Sequence, residues 1–286
     1  MYGRLRVALI SFRSDIFAAL HAGCVQGGHL PSLYITGRAS RPGTPSYTNM
    51  GDKVTDILGD IPVDIDLLLP GSVDGLIRAL RGYDIDLAVV CGLSWRLPRS
   101  VLEAPRLGVL NIHTSLLPRY RGPAPVQWAL RNGDPDIGIT IHWMDEDIDT
   151  GNIVAQRGNI TLPEFVKFDT LWQRITPMIQ DLLVAALARA AHGYAGQPQN
   201  DENATHAGPM EPEFDYIDWS QPARIIHNQV RTFYYGTATP GPFAKINDKW
   251  VRVLRTSLEP TNGTRVDCAD GPIWLVETEQ ATPSSR

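Results

Sequence analysis

The stretch Gly108 to Gly122 reads GVLNIHTSLLPRYRG, and 36 positions after its histidine stands Asp149, in the run MDEDIDTGNIV. Gly108 to His113 begins apolar and is bounded by Pro105 and Pro118, which predicts a short buried strand running toward its C-terminal end. Alternation puts Asn111 and His113 on one face and Ile112 on the other. An amide and an imidazole side by side at a strand end suit acyl transfer. The amide N–H can hold a developing oxyanion while the ring moves a proton or donates a second hydrogen bond. A helix (Pro123 to Asn132) and a strand (Ile137 to Trp143) fit between His113 and Asp149, so the chain can leave and return with a carboxylate beside the ring. Such a carboxylate fixes the tautomer, raises the basicity of the imidazole and can relay protons through water. By spacing alone the bland reading stays open, because a lone strand histidine is more often structural and Asp-Thr-Gly is an ordinary turn.

The elements that must position these groups alternate along the chain. Strands are expected at Leu5 to Ser11, Leu30 to Thr36, Ile65 to Leu69 and Leu87 to Gly92, and helices at Ile16 to Gln26 and Val73 to Leu80. That order implies a parallel sheet covered by helices, with ligands at the carboxyl ends of the strands, where Cys91-Gly92-Leu93 and Asn111 to His113 fall. No G-x-G-x-x-G turn follows the first strand, where Ser11-Phe12-Arg13-Ser14 stands, so no dinucleotide is implied. Asp169 to His192 forms a long helix with Leu171, Ile175, Ile179, Leu182, Leu183, Ala186 and Leu187 on one face and a bend at Pro177. It closes a first domain, 1–193. Residues 194–213 read as a linker, rich in Gly, Pro, Asn and Gln, and 214–286 as a small second domain. That domain offers a helix (Pro222 to Phe233) and short strands at Phe243 to Ile246, Trp250 to Arg255, Thr264 to Asp267 and Ile273 to Glu277. Thr36 to Lys53 is a loop by composition.

At 286 residues the chain fits one domain of ordinary size and a smaller one, and 43% hydrophobic with 20% charged residues is the balance of a globular protein. No apolar run approaches the ~18 residues that span a bilayer, and MYGRLRVALISF reads as a first strand rather than a signal segment. Cys24, Cys91 and Cys268 are scattered, which suggests neither a zinc site nor a disulfide framework and makes a reducing cytoplasm the expected location.

Asn111-x-His113-x-Ser115-Leu116-Leu117-Pro118, Arg121-Gly122, Gly138-Ile139-Thr140 and Asp147-x-Asp149-Thr150-Gly151 together resemble the formyltransferase family that uses 10-formyltetrahydrofolate. Methionyl-tRNA formyltransferase, sugar N-formyltransferases and glycinamide ribonucleotide transformylase belong to it. The first two carry a second domain, whose opening helix is similar to Ile217-Asp218-Trp219-Ser220 with Ala223, Ile226, Val230 and Arg231. The likeness runs, with gaps, from about Arg4 to about Phe243. It implies an α/β, Rossmann-like formyltransferase domain with a parallel-rich sheet, plus a small, mainly β C-terminal domain that is a reduced version of an OB-like barrel.

Carried over residue by residue, the resemblance implies that Asn111, His113 and Asp149 are catalytic. It implies that 10-formyltetrahydrofolate is the donor, leaving as tetrahydrofolate, and that Gly92, Leu93, Trp95 and Leu97 with Met144, Asp145 and Asp147 hold it. Trp95 stands where the family has a smaller aliphatic residue, and it either stacks on the pterin or plugs the core. Ser115, Arg119 and Arg121 are expected at the acceptor, arginine being the usual residue for bidentate anion capture, with solvated loop arginines as the alternative. Asp145, Glu146, Asp147 and Asp149 have the close spacing of a cation site, but the likeness to the folate loop accounts for them and no metal is expected. Cys91 reads as a buried small hydrophobe rather than a nucleophile. The base is either His113 or a water bridged to Asp149.

The tRNA-acting members carry a Lys- and Arg-rich insert where this chain holds only Arg38, Arg41 and Lys53. With a net charge of -5, this favours a small-molecule amine over tRNA as the acceptor, for example a nucleotide-linked amino sugar or a natural-product precursor such as hydroxyornithine. Methionyl-tRNA is the alternative. A relative that binds folate or passes formyl to water is a third reading, against which the complete triad stands. No membrane partner is expected, and the chain is read as a monomer or dimer.

Overall fold

The computed structural model describes residues 3–37, 50–93, 96–236 and 240–282. Contacts divide the chain into two compact units, one of Met1–Gly122, Gly138–Gly158 and Gln173–His206, the other of Pro123–Ile137, Asn159–Trp172 and Ala207–Arg286.

The first unit is built on strands β1 (Arg6–Ile10), β2 (Leu30–Ile35), β3 (Asp66–Leu68), β4 (Leu87–Cys91) and β5 (Val109–His113), arranged β3-β2-β1-β4-β5 and all parallel. β4 is buried along its whole length, as a strand covered on both faces must be. The covering helices are α1 (Ser14–Gln26), α2 (Met50–Asp60), α3 (Val73–Gly82) and the single turn α4 (Arg99–Leu102). The Ser72 hydroxyl caps α3 by accepting from the Gly75 N–H at 3.0 Å, and Leu76 and Leu80 anchor the helix in the core. Two further strands complete the sheet, β6 (Asp136–Trp143) beside β5 and β7 (Ile153–Thr161) at the edge.

β6 runs antiparallel to β5, so the sheet is mixed rather than wholly parallel. Direction depends on where a connection re-enters the sheet, which residue periodicity does not encode. The expected loop Thr36 to Lys53 lies partly outside the described residues, and its last four residues open α2. α2 buries only Ile57, too thin an apolar stripe to announce a helix. β7 alternates irregularly between buried and exposed positions, as an edge strand does, and its pattern was not legible as a strand.

The long helix α6 (Phe168–Ala191) carries Pro177 in its interior and buries Ile175, Ile179, Leu183, Ala186 and Leu187. Gly23 of α1 permits close packing here, since a Cβ would stand 3.1 Å from the Gln180 carbonyl oxygen and 3.2 Å from Leu183.

The second unit is a small, mainly β assembly. Strands β8 (Phe243–Ile246), β9 (Lys249–Ser257), β10 (Thr264–Cys268) and β11 (Gly271–Gln280) form an antiparallel sheet in the order β10-β11-β9-β8. Asn247 and Asp248, both left-handed at φ 46° and 62°, make the tight turn between β8 and β9 that suits strand twist. Helix α7 (Ala223–Gly236) sets Ile226 and Val230 against Ala244, Val253, Ile273 and Leu275 of the sheet, while α5 (Pro125–Asn132) packs on α7. Among the described residues no helix is long and apolar enough to cross a membrane.

Candidate active site

β5 carries Asn111 and His113 between parallel β4 and antiparallel β6, and its register places Asn111 opposite His142 and His113 opposite Thr140. Cross-strand partners share a face, so two residues of β6 join the two expected from β5. Thr140 is fully buried and organises the turn after β5: its hydroxyl donates to the Ser115 carbonyl at 2.7 Å and accepts from the Leu117 N–H at 3.1 Å.

Asp149 returns to this face. Its Oδ1 accepts from the Asn111 amide at 3.1 Å and lies 3.4 Å from His142 Nε2, while its Oδ2 accepts from the Gly122 N–H at 2.8 Å and lies 3.4 Å from His113 Nδ1. Two backbone features make the approach possible. Asp149 is itself left-handed, at φ 56°, and Gly122 sits at φ 120°, a conformation that a side chain would strain. A third close approach is at Gly151, where a Cβ would lie 1.9 Å from the Trp143 carbonyl oxygen.

Carbonyl oxygens only accept, and this fixes both rings. The Nε2 of His113 donates to the Tyr120 carbonyl at 2.8 Å, leaving its Nδ1 toward Asp149. The Nδ1 of His142 donates to the Trp143 carbonyl at 2.8 Å, and its Nε2 stands 3.1 Å from the Asn111 amide nitrogen and 3.4 Å from Asp149 Oδ1. Burial lowers the His113 pKa, outweighing the upward pull of Asp149, so the ring is neutral near pH 7. Burial also pushes the Asp149 carboxyl up, but the His142 hydrogen bond, the two imidazoles and the Gly122 N–H together hold it at about 2. The result is an ionised carboxylate, a neutral imidazole and an amide donor in one partly buried cluster, a set that can hold an oxyanion and move a proton.

His142 was missed by sequence reasoning. Its alternation with Thr140 along β6 is visible in the sequence, but only the antiparallel register with β5 brings it to Asn111.

The other expected site residues divide. Gly92 is exposed and left-handed at φ 80°, and Leu93 is half-buried against the core beside β4. Leu97 is 3% exposed and its side chain packs in the apolar core. Trp95 lies outside the described residues. Met144 is half-buried, with its N–H on the Val109 carbonyl at 2.8 Å. The two loops expected to hold the donor are stapled by Arg96, which donates to the Glu146 carbonyl at 2.7 Å and to Asp147 at 3.0 Å. Asp145 accepts from the Thr150 hydroxyl at 2.6 Å, and among the described residues no group of His, Cys, Asp and Glu is placed to hold a metal ion. The Cys91 thiol is pushed up to about 12 by burial, which leaves no thiolate near neutral pH.

The residues expected on the acceptor side differ in how far their side chains are already engaged. Arg121 is 6% exposed and its guanidinium is engaged by Gln199 and Asp201. The Ser115 hydroxyl is committed to the Arg119 carbonyl at 2.6 Å, closing the turn. Arg119 is exposed and stacks over the Tyr120 ring at 4.9 Å, donating to its hydroxyl at 3.1 Å.

Two family models match. Residues 71–187 match the formyl transferase model, and residues 209–282 match the formyl transferase C-terminal domain model. The chain belongs to the formyl transferase family. A methionyl-tRNA formyltransferase of Pelobacter propionicus is 33% identical over 233 residues, covering 76% of this chain and 72% of that protein. One of Citrifermentans bemidjiense is 36% identical over 236 residues, covering 77% and 71%. Other methionyl-tRNA formyltransferases match over less of their length, one of Syntrophomonas wolfei over 60% of it. In fold, the chain is similar to an N-formyltransferase from Helicobacter canadensis solved with folinic acid and dTDP-3-aminofucose, with a TM-score of 0.65, 15% identity and coverage of 96% and 99%. Formyl transfer is an acyl transfer, the chemistry for which the strand-end amide and imidazole are suited.

Proposed function

We propose that this formyl transferase moves the formyl group of 10-formyltetrahydrofolate to an amine, with Asn111, His113 and Asp149 as the catalytic residues. The observation that carries the reading is their convergence: amide, imidazole and carboxylate from two distant stretches meet within 3.1 to 3.4 Å. As the amine adds to the formyl carbon, the carbonyl oxygen takes up charge. An Asn111 N–H turns to it from its resting partner Asp149. The proton lost by the amine passes to the neutral His113 ring or to a water on ionised Asp149, and from there to the departing nitrogen. The donor would be held by Gly92, Leu93 and the loop from Met144 to Asp147, which Arg96 ties together.

For the acceptor we take the amine of methionyl-tRNA first. Relatives of that name, one-third identical over three quarters of the chain, outweigh the charge argument that put a small amine ahead. A second reading, a small-molecule amine such as a nucleotide-linked amino sugar, retains a specific observation. Residues 207–286 hold eight Lys and Arg against ten Asp and Glu, an acidic balance for a domain that would meet a polyanion. The Helicobacter enzyme of similar fold was solved with an amino sugar nucleotide, a ligand of that class.

Release of tetrahydrofolate should be followed with methionyl-tRNA, with amino sugar nucleotides, with hydroxylated diamino acids and with no amine. Amine-dependent release that Asn111→Ala lowers by about 100 to 1000-fold in kcat supports the reading. A steep fall of the tRNA rate with salt marks phosphate contacts, whereas a salt-indifferent rate with a small amine selects the second reading. Release that needs no amine, or that ignores the substitution, removes the mechanism.

A further inference from the structure

Residues 194–206 have the composition of a linker, yet they are tied down along their length within the first unit. Trp143 Nε1 donates to the Tyr194 carbonyl at 3.1 Å and Asn152 to the Ala195 carbonyl at 3.0 Å, and Gln197 and Ile153 exchange both backbone hydrogen bonds at 2.8 Å. Beyond this point the segment reaches the two loops that carry Asp149 and Tyr120. We propose that Gln197 to Thr205 is a positioning strap, in which Gln199 sets Asp149 and Thr205 sets His113. The inference rests on reading that pair as the proton-handling groups.

Gln199 is saturated. Its amide nitrogen donates to the carbonyls of Asp149 and Gly151, both at 2.8 Å, and its oxygen accepts from Arg121 Nε at 3.0 Å and Nη2 at 2.8 Å. Arg121 also pairs with Asp201 at 2.7 Å. The Asp149 peptide is thereby held on the same side chain as the buried guanidinium, with the carboxylate directed at Asn111, His113 and Gly122.

Thr205 acts one step further from the ring. Its hydroxyl accepts from the Tyr120 N–H at 2.8 Å, its carbonyl accepts from the Arg121 N–H at 2.8 Å and its N–H donates to the Pro118 carbonyl at 3.2 Å. The Tyr120 carbonyl in turn takes the Nε2 hydrogen of His113. If that carbonyl turned away, nothing would hold the hydrogen on Nε2, and the nitrogen facing Asp149 would no longer be fixed as the bare one.

Both residues the strap holds are non-glycines with left-handed backbones, Asp149 at φ 56° and Tyr120 at φ 60°. Such conformations persist where the surroundings over-determine them, and they gather at sites where geometry matters more than ease of folding. Gln199 is half-buried and Thr205 exposed, so neither fills the apolar core and either can be changed without opening a cavity.

The test uses the full chain with Gln199→Met and Thr205→Val, and with Thr205→Ser as the conservative control. The first readout is the ¹⁵N NMR signature and pH titration of the His113 ring, which needs no substrate. We expect the Nε2–H form to give way to mixed tautomers and the titration midpoint to move in both variants, and Thr205→Ser to keep the wild-type signature. In turnover with whichever amine responds, kcat should fall about 10 to 100-fold with KM and Tm near wild type, since a misplaced catalytic group loses rate rather than binding. His113 spectra unchanged in both variants would overturn the proposal, as would a kcat loss accounted for by a smaller folded fraction. A wild-type chain inactive on every amine would remove the catalytic reading, while the ring spectra would still decide whether the strap sets the pair.

Discussion

Acidification from about pH 7.5 to about pH 4 should cost the second unit about 3 kcal/mol through one side chain, His227. This residue of α7 is 1% exposed, with Nδ1 2.9 Å from the Thr256 hydroxyl, Nε2 3.2 Å from the Glu164 carboxylate and the Phe165 ring edge-on at 5.4 Å. Burial holds its pKa at about 4, and the guanidinium groups of Arg231 and Arg224 act in the same direction. The Glu164 side chain is 68% exposed, and solvent screens its pull on the ring. In the unfolded chain the imidazole titrates near 6.5. Below that pH the unfolded chain binds a proton that the folded one refuses. The stability present above about 6.5 is therefore lost as pH falls toward about 4, at about 1.4 kcal/mol per pH unit. His227→Gln keeps a polar partner for Thr256 and removes the titration. Urea unfolding across this range should show the variant losing about 3 kcal/mol less than wild type, whatever the substitution costs at neutral pH. Equal losses in the two proteins, or a His227 ring that titrates near 6.5 in the folded chain, would refute the reasoning.

Two further substitutions test the packing. A Cβ at Gly138 would stand 2.4 Å from Leu116 Cγ and 3.0 Å from the Arg157 carbonyl oxygen, so Gly138→Ala should lower stability by about 1 to 3 kcal/mol. Adding Leu116→Ala should recover part of that loss, and thermal unfolding of the double variant reads the coupling. Arg131 lies 4.6 Å from the centroids of both Trp128 and Phe214 and pairs with Glu211. Arg131→Met should therefore lose about 1 to 2 kcal/mol, with only part of the difference erased by salt, because the aromatic contacts are screened less than the ion pair.

Asn111, His113 and Asp149 were legible in the sequence through a resemblance to family motifs, carried by residues whose spacing is local. Residues two apart on a strand share a face, and an Asp-Thr-Gly turn can return a carboxylate to that face. The βα alternation, the apolar stripe of α6 and the short strands of the second unit were legible for the same reason: each is a periodicity of neighbouring residues. Tertiary structure alone decided what depends on register and long-range hydrogen bonding. It set β6 antiparallel to β5 and so brought His142 to Asn111 across the sheet. It also paired Arg121 with Gln199 and Asp201, partners 78 and 80 positions away. A Gly-, Pro- and Gln-rich stretch carries no apolar pattern, so its composition reads as a linker. Its order comes from hydrogen bonds to loops that exist only once the sheet has formed, and that is why Gln199 and Thr205 could not be read from the chain itself.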